Sequence, residues 1–217
     1  MKRKPEIMNM KRFLMALAGV LSMTAANGQE VKTVTPKNCE GASILENIMT
    51  RTSVRRYTDQ AVSAETVETL LRAGMAAPTA VNRQPWHFIV VTDKEKLAGL
   101  AEANPNAGMV RRAPLAIVVC GDMSKALDGP LQAYWVQDCS AATENILLAA
   151  HAMGLGAVWT GTYPNNAREE SVRRVLGLPE SIVPLNTLVI GYPAEQPKPK
   201  DKWRPENVSY NVYGGQK

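Results

Sequence analysis

Two stretches of this 217-residue chain carry side chains that could grip an anion. Arg51-Thr52-Ser53-Val54-Arg55-Arg56-Tyr57 sets three guanidiniums and the hydroxyls of Thr52 and Ser53 within seven positions. Guanidinium forks match phosphate oxygens bidentately, and a neutral hydroxyl adds a donor to the same group. Alone, such a run is more often a solvated surface patch. The second stretch, Ala77-Pro78-Thr79-Ala80-Val81-Asn82-Arg83-Gln84-Pro85-Trp86, fixes polar donors between two prolines directly ahead of an apolar run. Loops held by rigid elements are where binding groups tend to sit.

Other chemistries find no support in the residue pattern. Three Cys and two His make neither a disulfide framework nor a zinc cage. A G-x-S-x-G elbow and an H-E-x-x-H helix are both missing. Gly154-Leu155-Gly156 follows a helical run and precedes a strand, the reverse of the dinucleotide-binding order, so it reads as a helix end. His87 and His151 fall in a strand-like run and a buried helical run, and both read as satisfied structural histidines. Glu169 and Glu170 read as acids that stabilise the first turn of a helix.

The elements that must hold these stretches follow from periodicity. Ser43 to Met49 has helical spacing. Ser63 is a good N-cap for Ala64 to Ala76, where Val67, Leu70, Leu71 and Met75 form one apolar stripe, and Pro78 closes it. Phe88 to Val91 and Leu115 to Cys120 are continuous apolar runs that suit a sheet covered on both faces. Lys94 to Glu102 forms a short amphipathic helix. Tyr134 to Met153 predicts a long helix, sparse in charge and rich in small residues, buried nearly all round. Ala157 to Trp159 and Leu185 to Ile190 are further strands, and Arg168 to Leu176 is a helix capped by Asn165 or Asn166. The Pro- and Lys-rich tail from Ala194 either dangles or wraps a neighbour.

Charge is uneven along the chain. Five basic residues against Glu6 place +4 of the formal +5 in the first 28 residues; from Gln29 onward 20 basic residues face 19 acidic ones. A near-neutral body offers no evident cationic face for nucleic acid, and none is expected as a partner. Met10 to Glu30 reads as two cations, a short apolar run from Phe13 to about Met23, and small residues ending at Gly28, the order of a secretory leader. Residues 1–28 are accordingly expected to be a signal peptide, residues 29–42 a flexible arm and residues 43–217 the single domain. The product would be exported to the periplasm and not held at a membrane, or cytoplasmic if the leader does not function.

Four motifs taken in order then carry a resemblance. Arg51-x-Ser53-x-Arg55-x-Tyr57, Ala76-Ala77-Pro78-Thr79-x-x-Asn82-x-Gln84-Pro85-Trp86-x-Phe88, Gly154-Leu155-Gly156-Ala157-Val158-Trp159-Thr160-Gly161, and Gly191-Tyr192-Pro193 before Lys202-Trp203-Arg204-Pro205 resemble the nitroreductase family of FMN-dependent oxidoreductases. The match runs from about Ile44 to Tyr213. It implies an α+β fold around a mixed central sheet flanked by helices, an intertwined homodimer, and FMN at the dimer interface.

By position, the resemblance gives Arg51, Ser53 and Arg204 to the ribityl phosphate, with Thr52 near the flavin edge and Lys202 a further candidate. Arg55 would approach the N1/O2 side of the ring, where two-electron reduction places negative charge. Pro78, Thr79 and Asn82 would come from the opposite subunit, while Thr160, Gly161 and Thr162 would run beside the ring, the Gly161 amide donating to N5. Many relatives have two serines where this chain has Thr79-Ala80, so one hydroxyl contact is missing. No catalytic acid or base is needed. The implied activity is ping-pong, two-electron reduction of a small flat acceptor such as a nitroaromatic or a quinone, with NAD(P)H or another donor as reductant. The alternative is a non-catalytic protein of the same fold that binds flavin or another small ligand.

Overall fold

The computed structural model describes residues 44–217. The expected leader, residues 1–28, and the expected arm, residues 29–42, lie outside the described residues.

Four strands form one sheet. They are β1 (Trp86–Val91), β2 (Leu115–Asp122), β3 (Gly156–Gly161) and β4 (Ile182–Gly191), in the order β1-β2-β4-β3. All three ladders are antiparallel. The expected mixed sheet is antiparallel among the described residues; a parallel bridge outside its strands, between Ser53 and Ala157, attaches the arginine-rich run to the outer edge of β3. Every residue of β2 is buried, because helices cover both faces of the sheet.

The helices are α1 (Ile44–Thr50), α2 (Ala64–Met75), α3 (Lys94–Ala103), α4 (Tyr134–Ala152) and α5 (Asn166–Leu176). Ser63 caps α2 as expected, its side chain accepting from the Thr66 amide, and Asn165 caps α5 through the Arg168 amide. From Asp138 to Ala152 no residue of α4 is fully exposed. This helix packs with α2 against one sheet face, where Leu70, Ile146, Ile117, Leu188 and Ile190 meet. On the other face Leu97, Leu100, Val110, Val118 and Val172 form a second core under α3 and α5.

Close packing decides one glycine. A Cβ at Gly156 would stand 2.6 Å from Val54 Cγ1, nearer than carbon atoms can approach. That glycine lets the Arg51–Tyr57 run lie against β3, and the Val54 amide donates to the Ala157 carbonyl at 3.0 Å.

A bulge sits where the sheet meets the next loop. Register slips between Val119 and Cys120, which pair with Asn186 and Pro184, so Leu185 has no partner on β2. Its carbonyl instead accepts from the amides of Thr162 and Tyr163, both at 3.0 Å, and so aims the chain leaving β3.

Candidate functional site

The arginine-rich run forms one wall of a groove. Arg51, Thr52, Ser53 and Arg55 line a depression of about 600 Å³ with Ile48 and Met49 of α1, and Lys198, Lys200 and Lys202 enter from the C-terminal tail. Asp201 is the one acid in that lining, against five cations. The donor chemistry suits a phosphate monoester: guanidinium forks, ammonium groups and two hydroxyls on one concave surface.

Several contacts hold the wall in place. Glu144 on α4 takes Arg51 through Nε at 3.3 Å, and the Arg51 side chain is only 19% exposed. Glu195 anchors the next turn, accepting from the Arg55 amide at 2.8 Å, the Arg56 amide at 3.2 Å and Arg56 Nε at 2.7 Å. Those donors, led by the Arg55 amide, keep the Glu195 carboxyl below its ordinary range. Tyr57 reaches inward, its hydroxyl within hydrogen-bond distance of the carbonyls of Val54 and Val189, and burial pushes its ionisation up.

Arg204 was expected to meet Arg51 across two subunits, and within one chain the two do not share a groove. Lys202 lines the groove with Arg51, whereas Arg204 is not part of that lining. Its guanidinium donates to the Trp203 carbonyl at 2.9 Å and stands 4.0 Å from Glu206. Arg204 stands directly ahead of a short helical turn, Pro205–Asn207.

Pro78, Thr79 and Asn82 lie on a separate loop after α2. Val81, Asn82 and Gln84 have φ of 42°, 56° and 51°, with right-handed Arg83 between the last two, and the left-handed conformation costs energy for a β-branched residue such as Val81. The loop is pinned rather than slack. Asp138 of α4 accepts from the Ala80 amide at 2.9 Å, Thr79 Oγ1 accepts from the Gln84 amide at 3.1 Å, and Gln84 Nε2 donates to Asn82 Oδ1 at 2.9 Å.

Thr160, Gly161 and Thr162 end β3 at a third position. Thr160 is buried, with its hydroxyl given to the Thr187 carbonyl at 2.8 Å, and Thr162 is buried too. Gly161 is exposed, and its carbonyl accepts from Asn104 Nδ2 at 3.1 Å and Arg168 Nη1 at 3.2 Å. Within one chain, then, the three sets stay apart: none of Pro78, Thr79, Asn82, Thr160, Gly161 or Thr162 lines the Arg51 groove.

Some supporting residues were not anticipated. Lys198 and Lys200 belong to a tail whose composition gives no hint of where it runs. Glu144, Glu195, Asn104 and Arg168 act through contacts distant in sequence. One expectation needs correction. His87 is exposed on the free edge of β1 and is not a satisfied core histidine. Glu169 lies in the first turn of α5 as expected; its Oε1 is buried without a hydrogen-bond partner among the described residues, and desolvation raises its pKa. His151, by contrast, is satisfied as expected, with Nε2 at 2.9 Å from Thr50 Oγ1.

Comparison with known proteins places this α+β chain, with its cationic groove, among oxidoreductases. Residues 48–104 and 101–192 match the model of the Nitroreductase family, and the chain belongs to that family. A Methanothermobacter thermautotrophicus protein with the provisional name NADH dehydrogenase/NAD(P)H nitroreductase is 47% identical over 165 residues, 76% of this chain and 85% of the relative. A crystal structure of a Bacteroides thetaiotaomicron protein of the same provisional name is 47% identical, with a TM-score of 0.74 over 80% of this chain and 99% of that one. A Desulfovibrio desulfuricans nitroreductase-like protein, solved in complex with FMN, is 34% identical, with a TM-score of 0.70 over 77% of this chain and 96% of that one.

Proposed function

We propose that this FMN-dependent oxidoreductase reduces a small flat acceptor, a nitroaromatic or a quinone, by two electrons in a ping-pong cycle fed by NAD(P)H or another donor. The observation that supports this most is the Arg51 groove, where a run near the start of the domain and a tail near its end bring five cations and two hydroxyls together. Arg51, Ser53 and Lys202 hold the FMN phosphate there, Thr52 lies near the flavin edge, and Arg55 faces the pyrimidine side of the ring. Bound FMN supplies the hydride and electron chemistry; the chain binds it, orients it and sets the charge around it.

The remaining site residues need a second subunit. Ile44, Leu45 and Met49 on α1 and Trp203, Val212 and Tyr213 on the tail are all at least 66% exposed, a set of large apolar groups that the described residues leave largely uncovered. In an intertwined homodimer these surfaces are covered, the partner contributes Pro78, Thr79 and Asn82, and the tail brings Arg204 onto a phosphate. The Thr160–Thr162 edge meets the ring through backbone, since the Thr160 hydroxyl is committed to its own sheet.

The leader favours export to the periplasm, where nicotinamide cofactors are not normally supplied, so the exported enzyme is reduced in place by another carrier while still accepting NAD(P)H in vitro. The purified chain is expected to be yellow and to release FMN. Anaerobic flavin reduction by NADPH, set against a non-nicotinamide donor, tests the rest. A colourless protein overturns the flavin reading, and rapid, saturable NADPH reduction together with a cytoplasmic location overturns the second carrier.

A further inference from the structure

A second groove is larger than the one just assigned. A depression of about 790 Å³ opens at the end of the sheet where β1 and β4 finish and β2 begins. Arg55, Arg56, Lys94, Arg111 and Arg112 line it, against Asp59 alone. Tyr57, Leu97, Ala113 and Pro114 give it an apolar floor. Arg56 pairs with Glu195 at 2.7 Å and Arg111 with Glu102 at 3.1 Å. The side chains of Arg55, Lys94 and Arg112 have no ion-pair partner among the described residues.

The charge is segregated here. From Gln29 onward the chain is nearly neutral, 20 basic to 19 acidic residues, so an even distribution would not collect five cations and one acid in a single concavity. Like charges gathered on one surface repel, and a depression of one sign focuses the field and raises the local concentration of counter-ions. The three unpaired cations come from three different segments: Arg55 from the run beside β3, Lys94 from the first turn of α3 and Arg112 from the approach to β2. A single carboxylate cannot neutralise three unpaired cations in one concavity. A string of phosphates can, and the apolar floor leaves room for an attached organic group. The volume lies within the range of small-molecule sites.

We propose that this groove is a second anion site, distinct from the flavin groove, for a small molecule bearing several linked phosphates, of the nucleoside polyphosphate class. Arg55 lines both grooves and is the wall between them. The proposal does not depend on the flavin reading.

Isothermal titration of the full chain, as purified, with inorganic tripolyphosphate and separately with ATP tests it. One site per chain is expected for each probe, the two competing and both weakening as salt is raised. Lys94→Gln/Arg112→Gln changes two exposed side chains outside the flavin groove and should weaken both probes by about tenfold or more. Asp59→Asn should tighten them, and Arg51→Gln, which belongs to the other groove, should leave them unchanged. Absence of saturable binding at millimolar probe, equal affinity in the double variant, or loss of binding in Arg51→Gln would each overturn the assignment. The thermal transition of each variant, taken alongside, shows that the fold is intact.

Discussion

Glu144 holds Arg51 by the inner nitrogen. The contact runs from Nε to Oε1 at 3.3 Å, across from α4 to the run beside β3, and it leaves the two outer nitrogens of the guanidinium for another anion. A guanidinium steadied in this way is pre-organised for bidentate binding. Glu144→Gln keeps the shape of the pair and removes its charge. We expect FMN affinity, measured by quenching of flavin fluorescence, to fall about threefold in that variant, within the range of a partly exposed ion pair. An unchanged affinity would mean that Arg51 needs no such support.

His151 titrates with the fold. The Thr50 hydroxyl donates to the Glu46 carbonyl at 2.7 Å, so its oxygen must accept from His151, and the ring carries its proton on Nε2. Burial, and then the neighbouring Arg51 charge, hold the ring below its ordinary 6.5. A folded-state value below the unfolded one means that the unfolded chain takes the proton first. The contribution of this ring is therefore complete above about pH 6.5 and is lost as pH falls beneath it. The drop in Tm between pH 7.5 and pH 5.5 should be smaller in His151→Gln than in the natural chain. An identical drop in both would contradict this.

Gly156 is a steric requirement. Alanine there would place its Cβ 2.6 Å from Val54 Cγ1 and 2.7 Å from Val54 Cβ, and backbone on either side would have to move. Gly156→Ala should cost about 1–3 kcal/mol, the usual range for an overpacked core, and lower Tm by several degrees. Val54→Ala made alone costs some stability, but made in the Gly156→Ala background it should return part of the loss. If the double variant melts lower than the sum of the two single changes allows, the clash is not the cause.

Cys120 and Cys139 should be silent to reagents. Both are fully buried, and burial pushes each thiol up to about 12, so almost no thiolate forms near neutrality. Ellman's reagent at pH 8 is expected to find at most one of the three cysteines in the native full chain and all three after denaturation. Fast reaction of two or more native thiols would show that the cover opens on at least one face of the sheet.

How much of this was legible beforehand depends on the range of each interaction. The Ser63 cap, the unbroken apolar run of β2 and the small-residue content of α4 are local signals, and they appear where periodicity puts them. The Arg51-x-Ser53-x-Arg55 wall was legible because its residues are sequence neighbours. The β1-β2-β4-β3 order and the Leu185 bulge were not, since they arise from pairings between distant segments. Lys198 and Lys200 reach the groove because the tail turns back past Arg51, and a string of Pro and Lys does not state its destination. Where Arg204 goes in the dimer was not legible for the same reason; within one chain it stands beside Glu206 and outside the Arg51 groove.

The central claim is that the Arg51 groove recognises a phosphate, and comparing FMN with riboflavin isolates that group. The flavin-free chain should bind FMN at least about 100-fold more tightly than riboflavin, as two or more charge-assisted hydrogen bonds to a phosphate predict. Arg51→Gln should reduce that ratio by about tenfold or more while leaving riboflavin binding almost unchanged. Equal affinity for the two flavins, or an FMN preference untouched by Arg51→Gln, would contradict the account.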